Sequence, residues 1–171
     1  MIPVKLLLVV LFGPLVAAHA LAEPKSDNIQ VVFNFTFYLD QLGEPDLRKS
    51  CSKETETIRL IANAASKSAW SVRVERTTSL VSVYFSQGNT LSTPTLSSQT
   101  VDESVWTGLE QILDAENFHE IPKTTDTWIP DDTIASIETC FGGRYDVIQR
   151  QFWHPETKEL VSALESLRPR E

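Results

Sequence analysis

The stretch 133-TIASIETCFGGRYDVIQRQFW-153 decides the fold of this protein. Its halves, residues 133–141 and 144–153, are rich in β-branched and aromatic residues, as strands are. Gly142-Gly143 joins them, and this pair suits the positive φ angles of a tight hairpin. The sequence therefore predicts two antiparallel strands, and His154-Pro155 ends the second one.

Three earlier runs extend the predicted sheet: residues 57–62 (TIRLIA), 71–76 (SVRVER) and 80–86 (LVSVYFS). In the second run valines alternate with arginines, which is typical of a strand with one face on a core. An alternative remains for residues 62–69, since Ala and Lys favour helices and this segment can extend a helix that begins at Glu54.

The segments around these runs complete the β prediction. Residues 29–39 (IQVVFNFTFYL) alternate apolar and smaller side chains, which predicts a further strand. Residues 40–56 show neither the period of a helix nor that of a strand, and they are interpreted as a loop. Residues 88–99, rich in Ser, Thr and Gly, are interpreted as a break between elements.

Two amphipathic helices are predicted. The first follows Asp102, ends before Pro122, and has Thr100 and Glu103 at the spacing of a capping box. The second precedes Pro169 and has Pro155 in its first turn. The apolar stripes that predict them are Val105, Trp106, Leu109, Ile112 and Leu113 in the first, and Leu160, Val161, Leu164 and Leu167 in the second.

This order of elements predicts an α+β fold, with a mainly antiparallel sheet and two helices packed on one face. Residues 23–171 form one domain, because 149 residues suffice for a single core. The sheet face opposite the helices is the expected place for a binding groove.

Residues 1–22 have the order of a secretory signal peptide. Lys5 precedes an apolar run at residues 6–16, and Ala20-Leu21-Ala22 forms a small-x-small cleavage site. The alternative is an uncleaved anchor, which needs about 20 apolar residues, whereas Gly13-Pro14 interrupts this run. We expect a secreted or periplasmic protein without stable membrane insertion after cleavage.

The net charge of the protein excludes some partners. There are 15 basic and 23 acidic residues, a net charge of −8, and removing the signal with its single Lys5 leaves −9. An acidic surface repels phosphate backbones and anionic lipids, so no nucleic-acid partner is expected.

Cys51 and Cys140 are the two cysteines. Oxidising surroundings outside the cytoplasm favour a disulfide between them. The alternative is a reactive thiol at Cys51, which lies near Arg48, Lys49 and Lys53. The spacing of the cysteines does not fit a zinc site.

Residues 71–76, 105–122 and 134–156 carry a resemblance to a known family. Together they are similar to a family of small uncharacterised secreted bacterial proteins, in which a VRVER-like strand precedes a helix and a hairpin ending in a G.Y.V..R..P-like strand. The resemblance spans about residues 57–168. It implies export and an α+β fold; since the family has no established activity, it transfers no catalytic residue.

Candidate catalytic groups are sparse. His119 and His154 are the only histidines after residue 22, and neither has a nucleophile or acid at a recognisable catalytic spacing. Asp126, Asp131-Asp132 and Glu138 offer oxygen ligands without the spacing of a calcium loop. We therefore assign no catalytic residue, metal site or cofactor.

The hairpin strand offers a candidate binding surface at Arg144, Arg150 and Trp153, because Arg and Trp are enriched at interfaces. If Tyr145, Val147 and Gln149 turn inward, strict alternation places Arg144 and Arg150 in an exposed row that can contact an anion. The alternative is that these arginines form ordinary cross-strand pairs with nearby carboxylates. We expect an exported, non-enzymatic module that binds a protein or envelope component. The alternatives are an extracytoplasmic hydrolase and a small-ligand carrier that uses the open sheet face.

Overall fold

The computed structural model describes residues 35–64, 68–89, 91–123 and 133–169. These residues form one α+β unit with a six-stranded antiparallel sheet. The strands are β1 (Glu56–Ala64), β2 (Ala69–Arg76), β3 (Val81–Asn89), β4 (Ser92–Val101), β5 (Thr133–Phe141) and β6 (Arg144–Gln151). The helices are α1 (Phe35–Leu42), α2 (Leu47–Ser50), α3 (Glu103–Ala115) and α4 (Lys158–Ser166), and a 3-10 turn spans Phe118–Glu120.

The strand order is β4-β3-β2-β1-β5-β6, with every neighbour antiparallel. This topology confirms the predicted α+β class. It also confirms the predicted strands at β1, β2 and β3 and the hairpin of β5 and β6. Gly142 and Gly143 have φ angles of 57° and 83°, as the two-residue hairpin requires. The helix alternative for residues 62–69 is wrong, because β1 continues to Ala64 and β2 begins at Ala69.

One face of the sheet, the helix face, packs against α3 and α4. Strand positions two apart lie on the same face, so the helix face receives alternate, mainly apolar residues of β1, β2, β3, β5 and β6. Its fully buried side chains include Ile58, Leu60, Val72, Val74, Ile137 and Ile148 from the sheet, with Trp106, Leu160, Val161 and Leu164 from the helices. Trp106 is 0 % exposed, as expected for a core residue.

The two predicted helices form, and α3 begins directly after Asp102 as predicted, but the capping residue of α3 and the start of α4 differ from the prediction. Asp102, not Thr100, is the N-cap of α3: its carboxylate accepts from the Ser104 backbone N–H at 2.8 Å. β4 runs to Val101, so Thr100 is still strand. Helix α4 begins at Lys158, which leaves Pro155 in the turn before it.

The prediction of a strand at residues 29–39 is wrong for its described part. Residues 35–42 form helix α1, and residues 29–34 lie outside the described ranges. Leu39 and Leu42, three positions apart on this helix, are buried against Ile61 and Ala69. This tertiary contact overrides the period-two pattern. Helix α1 lies so close to β3 that a Cβ at Gly88 would collide with its backbone.

Residues 40–56 are also more ordered than predicted. They contain the end of α1 and the short helix α2, whose N-cap Asp46 accepts from the Arg48 backbone N–H. Cys51 follows α2 and forms a disulfide with Cys140 on β5, with 5.6 Å between the Cα atoms. The predicted disulfide is therefore present, and the reactive-thiol alternative is wrong.

The predicted break at residues 88–99 is wrong as well. Most of it is strand, since β3 continues to Asn89 and β4 begins at Ser92. Eight of the ten residues of β4 are exposed, so neither of its faces is buried. Its sequence therefore shows no alternation of apolar and polar residues.

No helix within the described residues is long and apolar enough to span a membrane. The predicted signal peptide at residues 1–22 lies outside the described ranges. The disulfide is consistent with an oxidising extracytoplasmic compartment.

Candidate functional site

The structure separates the three residues of the predicted binding surface. Arg144 is exposed beside the hairpin turn, and Trp153 is 62 % exposed with its ring edge-on to Phe152. Arg150, by contrast, has a side chain that is 2 % exposed. Its guanidinium donates to the backbone oxygens of Pro122 and Gln149. The predicted row of exposed arginines is therefore not formed.

The reason is the orientation of β6. Its alternation is as expected, but the face with Asp146, Ile148 and Arg150 turns toward the helices. Tyr145 and Val147 point to the opposite face of the sheet, so the assignment of inside and outside is the reverse of the exposed-row hypothesis. Packing against α4 was the information that strand alternation alone lacked.

The face opposite the helices, the ionic face, is not an open groove. Helices α1 and α2 cover it, and an ionic cluster fills the space beneath them. The ionic cluster consists of Glu44, Arg59, Ser71, Arg73, Glu75, Glu138 and Tyr145. The concave surface required by the small-ligand carrier hypothesis is occupied by the protein itself.

Arg59 and Glu138 are the centre of the ionic cluster, and both side chains are 0 % exposed. They lie directly opposite each other on β1 and β5. Arg59 Nε donates to Glu138 Oε2 at 2.5 Å, and the Tyr145 hydroxyl donates to Glu138 Oε1 at 2.7 Å. These contacts satisfy a charge pair that would otherwise be costly to bury.

Burial raises the pKa of Glu138, and the charge of Arg59 with the Tyr145 hydrogen bond opposes that rise. Burial beside the Glu138 carboxylate also raises the pKa of Tyr145, so the phenol keeps its proton and serves as a donor. Glu138, an oxygen ligand considered from the sequence, is thus committed to Arg59. Asp126, Asp131 and Asp132 lie outside the described ranges.

Glu44 enters the ionic cluster from the loop between α1 and α2. Its carboxylate accepts from Ser71 Oγ at 3.0 Å, Arg73 Nε at 2.8 Å and Arg59 Nη1 at 3.2 Å. The three donors meet at a side chain that is 3 % exposed. Arg73 also stacks on the Tyr84 ring, 4.1 Å from its centroid. The contacts hold the covering segment on the sheet.

His119 occupies a different position, in the 3-10 turn after α3. Its Nδ1 lies 3.4 Å from an oxygen of Asp146, whose side chain is 5 % exposed. The Asp146 carboxylate also pairs with Lys123 at 3.2 Å and accepts from the Val147 backbone N–H. A carboxylate that holds Nδ1–H leaves Nε2 as a proton acceptor.

A cavity of about 320 Å³ lies beside this histidine. His119, Phe141, Leu113 and the carboxylates of Glu110 and Asp114 line it. Among the described residues no cluster of His, Cys, Asp and Glu is arranged to hold a metal ion. The cavity therefore presents an oriented imidazole and two acidic groups.

The second histidine has no such setting. His154 stands in the turn between β6 and α4, where its Nδ1 accepts from the Glu156 backbone N–H at 3.3 Å. Its ring lies 3.6 Å from the Glu156 carboxylate, which is half-exposed. These contacts belong to the turn itself.

The outer edge of β4 is an exposed terminal edge of the sheet. No described strand pairs with it, because β4 is the last strand of the sheet. The opposite edge is partly covered, since the Gln149 N–H on β6 donates to the Lys123 carbonyl oxygen. The two edges therefore differ in accessibility.

The β4 edge also differs from the rest of the protein in charge. Residues 77–101 contain no Asp, Glu, Lys, Arg or His, although 22 % of all residues are charged. We call β3 and β4 with their flanking residues in this range the uncharged hairpin. Three of the large apolar side chains that are exposed belong to it: Leu80 (46 %), Leu91 (93 %) and Leu96 (62 %).

This surface was not predicted, although one signal for it was available. The sequence alone shows that 25 successive residues carry no charged side chain. The ionic cluster had no comparable signal, because it depends on which residues of β1, β2 and β5 stand opposite one another.

No protein-family model matches this sequence, and no curated protein is significantly similar to it. The resemblance of residues 57–168 to small secreted bacterial proteins therefore stays a prediction.

Proposed function

We propose that this protein is an exported, non-enzymatic interaction module that binds an extended segment of a partner protein along β4. The observation that carries the proposal is the coincidence of the uncharged hairpin with a strand edge that no described strand pairs with. An extended segment can add to such an edge as a seventh strand, with backbone hydrogen bonds supplying affinity.

The chemistry of the edge specifies the partner segment. Its exposed side chains are mainly Ser and Thr, with Leu91 and Leu96 among them. A charged segment would lose hydration here without gaining an opposite charge. The expected partner segment is therefore extended, uncharged, and mixed in hydroxyl and aliphatic side chains.

Natural sheets protect exposed edges with charges, prolines or covering segments, because bare edges aggregate. β4 has Pro94 near its start and no charged residue over its ten positions. β6 has both a covering contact from Lys123 and the buried Arg150. Apart from Pro94, this edge has none of these protections among the described residues, and such an edge in an acidic protein is best explained by use in binding.

The test is to place a charge on the edge without disturbing the core. Ser97→Lys and Ser98→Lys each add a cation to an exposed position of β4, and Gln111→Lys adds one to an exposed position of α3 as the matched control. Each mature protein is used to capture partners from an extracytoplasmic extract. The wild-type protein and the Gln111 variant should retain the same partner, and both edge variants should lose it.

Amide hydrogen exchange then locates the contact. Addition of the purified partner should slow exchange in β4 and leave β6 unchanged. A partner that both edge variants still retain, or protection outside β4, would contradict the proposal. Self-association of the wild-type protein that Ser97→Lys abolishes would reassign the edge to pairing between two copies.

A second function, extracytoplasmic hydrolysis, is favoured by the pair of His119 and Asp146. The buried carboxylate orients an imidazole at the cavity wall, as in sites where histidine takes a proton from water. Ester, amide and phosphoester substrates are the panel. Activity lost in His119→Gln and Asp146→Asn but kept in His154→Gln supports hydrolysis; no activity, or activity that survives His119→Gln, removes it.

A further inference from the structure

Glu44 has the contacts of a bound carboxylate ligand. Three donors from two neighbouring strands converge on it: Arg59 of β1, and Ser71 and Arg73 of β2. Two arginines and a hydroxyl around one carboxylate are a common means of recognising that group. We call Arg59, Ser71 and Arg73 the carboxylate cradle.

The sheet itself supplies one carboxylate for each of the two arginines of the cradle. Arg59 already pairs with Glu138 on β5, and Arg73 already pairs with Glu75 on its own strand. Glu44 is therefore a third carboxylate, supplied from outside the sheet. Arg59 and Arg73 stand directly opposite each other, and like charges at such a position are destabilising unless an anion lies between them.

Glu44 reaches the cradle from a loop rather than from a regular element. Gly43, immediately before it, has a φ of 64°, in the left-handed region that favours glycine. Helix α1 precedes this loop, and two sheet side chains hold its backbone: Ser86 Oγ donates to the Leu42 carbonyl oxygen, and Arg59 Nη1 donates to the Pro45 carbonyl oxygen at 2.7 Å. Movement of the Glu44 carboxylate out of the cradle requires no change in the sheet register.

We propose that the carboxylate cradle is a binding site for a carboxylate group of another molecule, and that Glu44 occupies it as an internal competitor. The ligand class is a peptide carboxylate, from either an acidic residue or a free C-terminus. This site lies on the ionic face and is independent of the binding proposed at β4.

The first experiment empties the cradle with Glu44→Ala and titrates it with sodium formate, followed by calorimetry. Glu44→Ala should bind formate more tightly than the wild-type protein, because in the wild-type protein the Glu44 carboxylate competes with formate for the same donors. Glu75→Ala is the matched control: it removes a carboxylate from Arg73 but leaves Glu44 in place, so it should resemble wild type.

The double variant Glu44→Ala with Arg73→Gln should lose formate binding. Equal binding by wild type and Glu44→Ala, no binding by either, or binding that survives Arg73→Gln would each overturn the proposal. If Glu44→Ala is unfolded in chloride, recovery of its folded circular dichroism spectrum in formate of equal ionic strength supports the site. An unfolded spectrum in both salts overturns it.

Two peptides then distinguish the source of the ligand. Acetyl-Ala-Glu-amide offers the carboxylate of an acidic residue, and acetyl-Ala-Ala with a free C-terminus offers the terminal one. Tighter binding of either peptide by Glu44→Ala than by wild type assigns the source. Failure of both peptides to bind the variant would overturn the peptide assignment. None of these results depends on binding at β4.

Discussion

The two faces of the sheet are held by different physical means. The helix face buries aliphatic and aromatic side chains against α3 and α4, a non-directional contact that depends on area and packing. The ionic face buries charged groups beneath α1 and α2, and depends on each group keeping its partners. We therefore expect loss of a charged partner on the ionic face to cost more unfolding free energy than loss of a methyl group on the helix face.

Ile137 and Glu138 show this contrast in two successive residues of β5. Ile137 points to the helix face and Glu138 to the ionic face, and both are 0 % exposed. Because they share a strand and a degree of burial, substitutions at the two positions compare the faces directly.

The largest effect is expected from Glu138→Ala. It leaves the Arg59 guanidinium buried without its main partner, which typically costs about 3–5 kcal/mol of unfolding free energy. Urea denaturation measures the loss. Ser136→Ala, two positions away on the same face, is the control and should cost less. A loss below about 1 kcal/mol for Glu138→Ala would show that the ionic face tolerates unpaired charge.

The next effect concerns the disulfide, which fastens the cover of the ionic face to β5. Replacing Cys51 and Cys140 together by Ala should cost about 2–5 kcal/mol. Hydrogen exchange should accelerate in α1 and α2 more than in α3 and α4, since only the former are tethered by this bond. An equal increase in exchange rate in α1, α2, α3 and α4 would contradict the prediction that the disulfide stabilises mainly the ionic face.

A smaller effect is expected from Ile137→Val on the helix face. Removal of one buried methyl group should cost about 0.5–1.5 kcal/mol, measured in the same urea titration. The conservative change keeps a β-branched residue, so the strand itself is unaffected. A loss as large as that of Glu138→Ala would mean that shape matters equally on both faces.

The smallest effect on stability is expected from Glu116, which lies at the end of α3. Its carboxylate is poorly partnered. Its oxygens are buried and no described group makes a well-formed hydrogen bond to them. Burial raises the pKa of Glu116 above its ordinary value of 4.5. The nearby N–H groups of Glu159 and Leu160 lower it again in part.

Because its folded-state pKa is raised, the folded protein binds this proton more tightly than the unfolded protein does. The contribution of Glu116 to stability is therefore greatest below pH 4.5 and falls as the pH rises through the folded-state pKa. Glu116→Gln removes this loss, so the variant should gain on wild type as the pH rises. Unfolding midpoints measured across this range check the sign, and parallel curves would contradict it.

Much of the fold was predictable because half-buried elements record their burial as a period. The alternation in SVRVER, the glycine pair of the final hairpin and the apolar stripe around Trp106 each led to the observed element. The disulfide was predictable from the count of cysteines and the expected compartment.

Four other features were not predictable in this way. β4 is exposed on both faces and therefore carries no period. Helix α1 has the composition of a strand, and its contact with Ile61 and Ala69 decides its structure. The ionic cluster depends on strand register, which no local sequence pattern contains. The side of the sheet that Arg150 occupies was also not predictable from alternation, and this residue, predicted on the surface, is buried.

The strand order sets the sequence of events when the protein folds. β1 pairs with β2, which is nearby in sequence, but its other neighbour is β5, beyond β3, β4 and α3. During synthesis, which starts at the N-terminus, β1 to β4 can assemble from local contacts. The second edge of β1 stays unpaired until β5 has been made. Non-local pairing of this kind is slow and leaves that edge open to aggregation meanwhile. The pairing of Arg59 with Glu138 belongs to this late step, because the two residues stand opposite each other on β1 and β5.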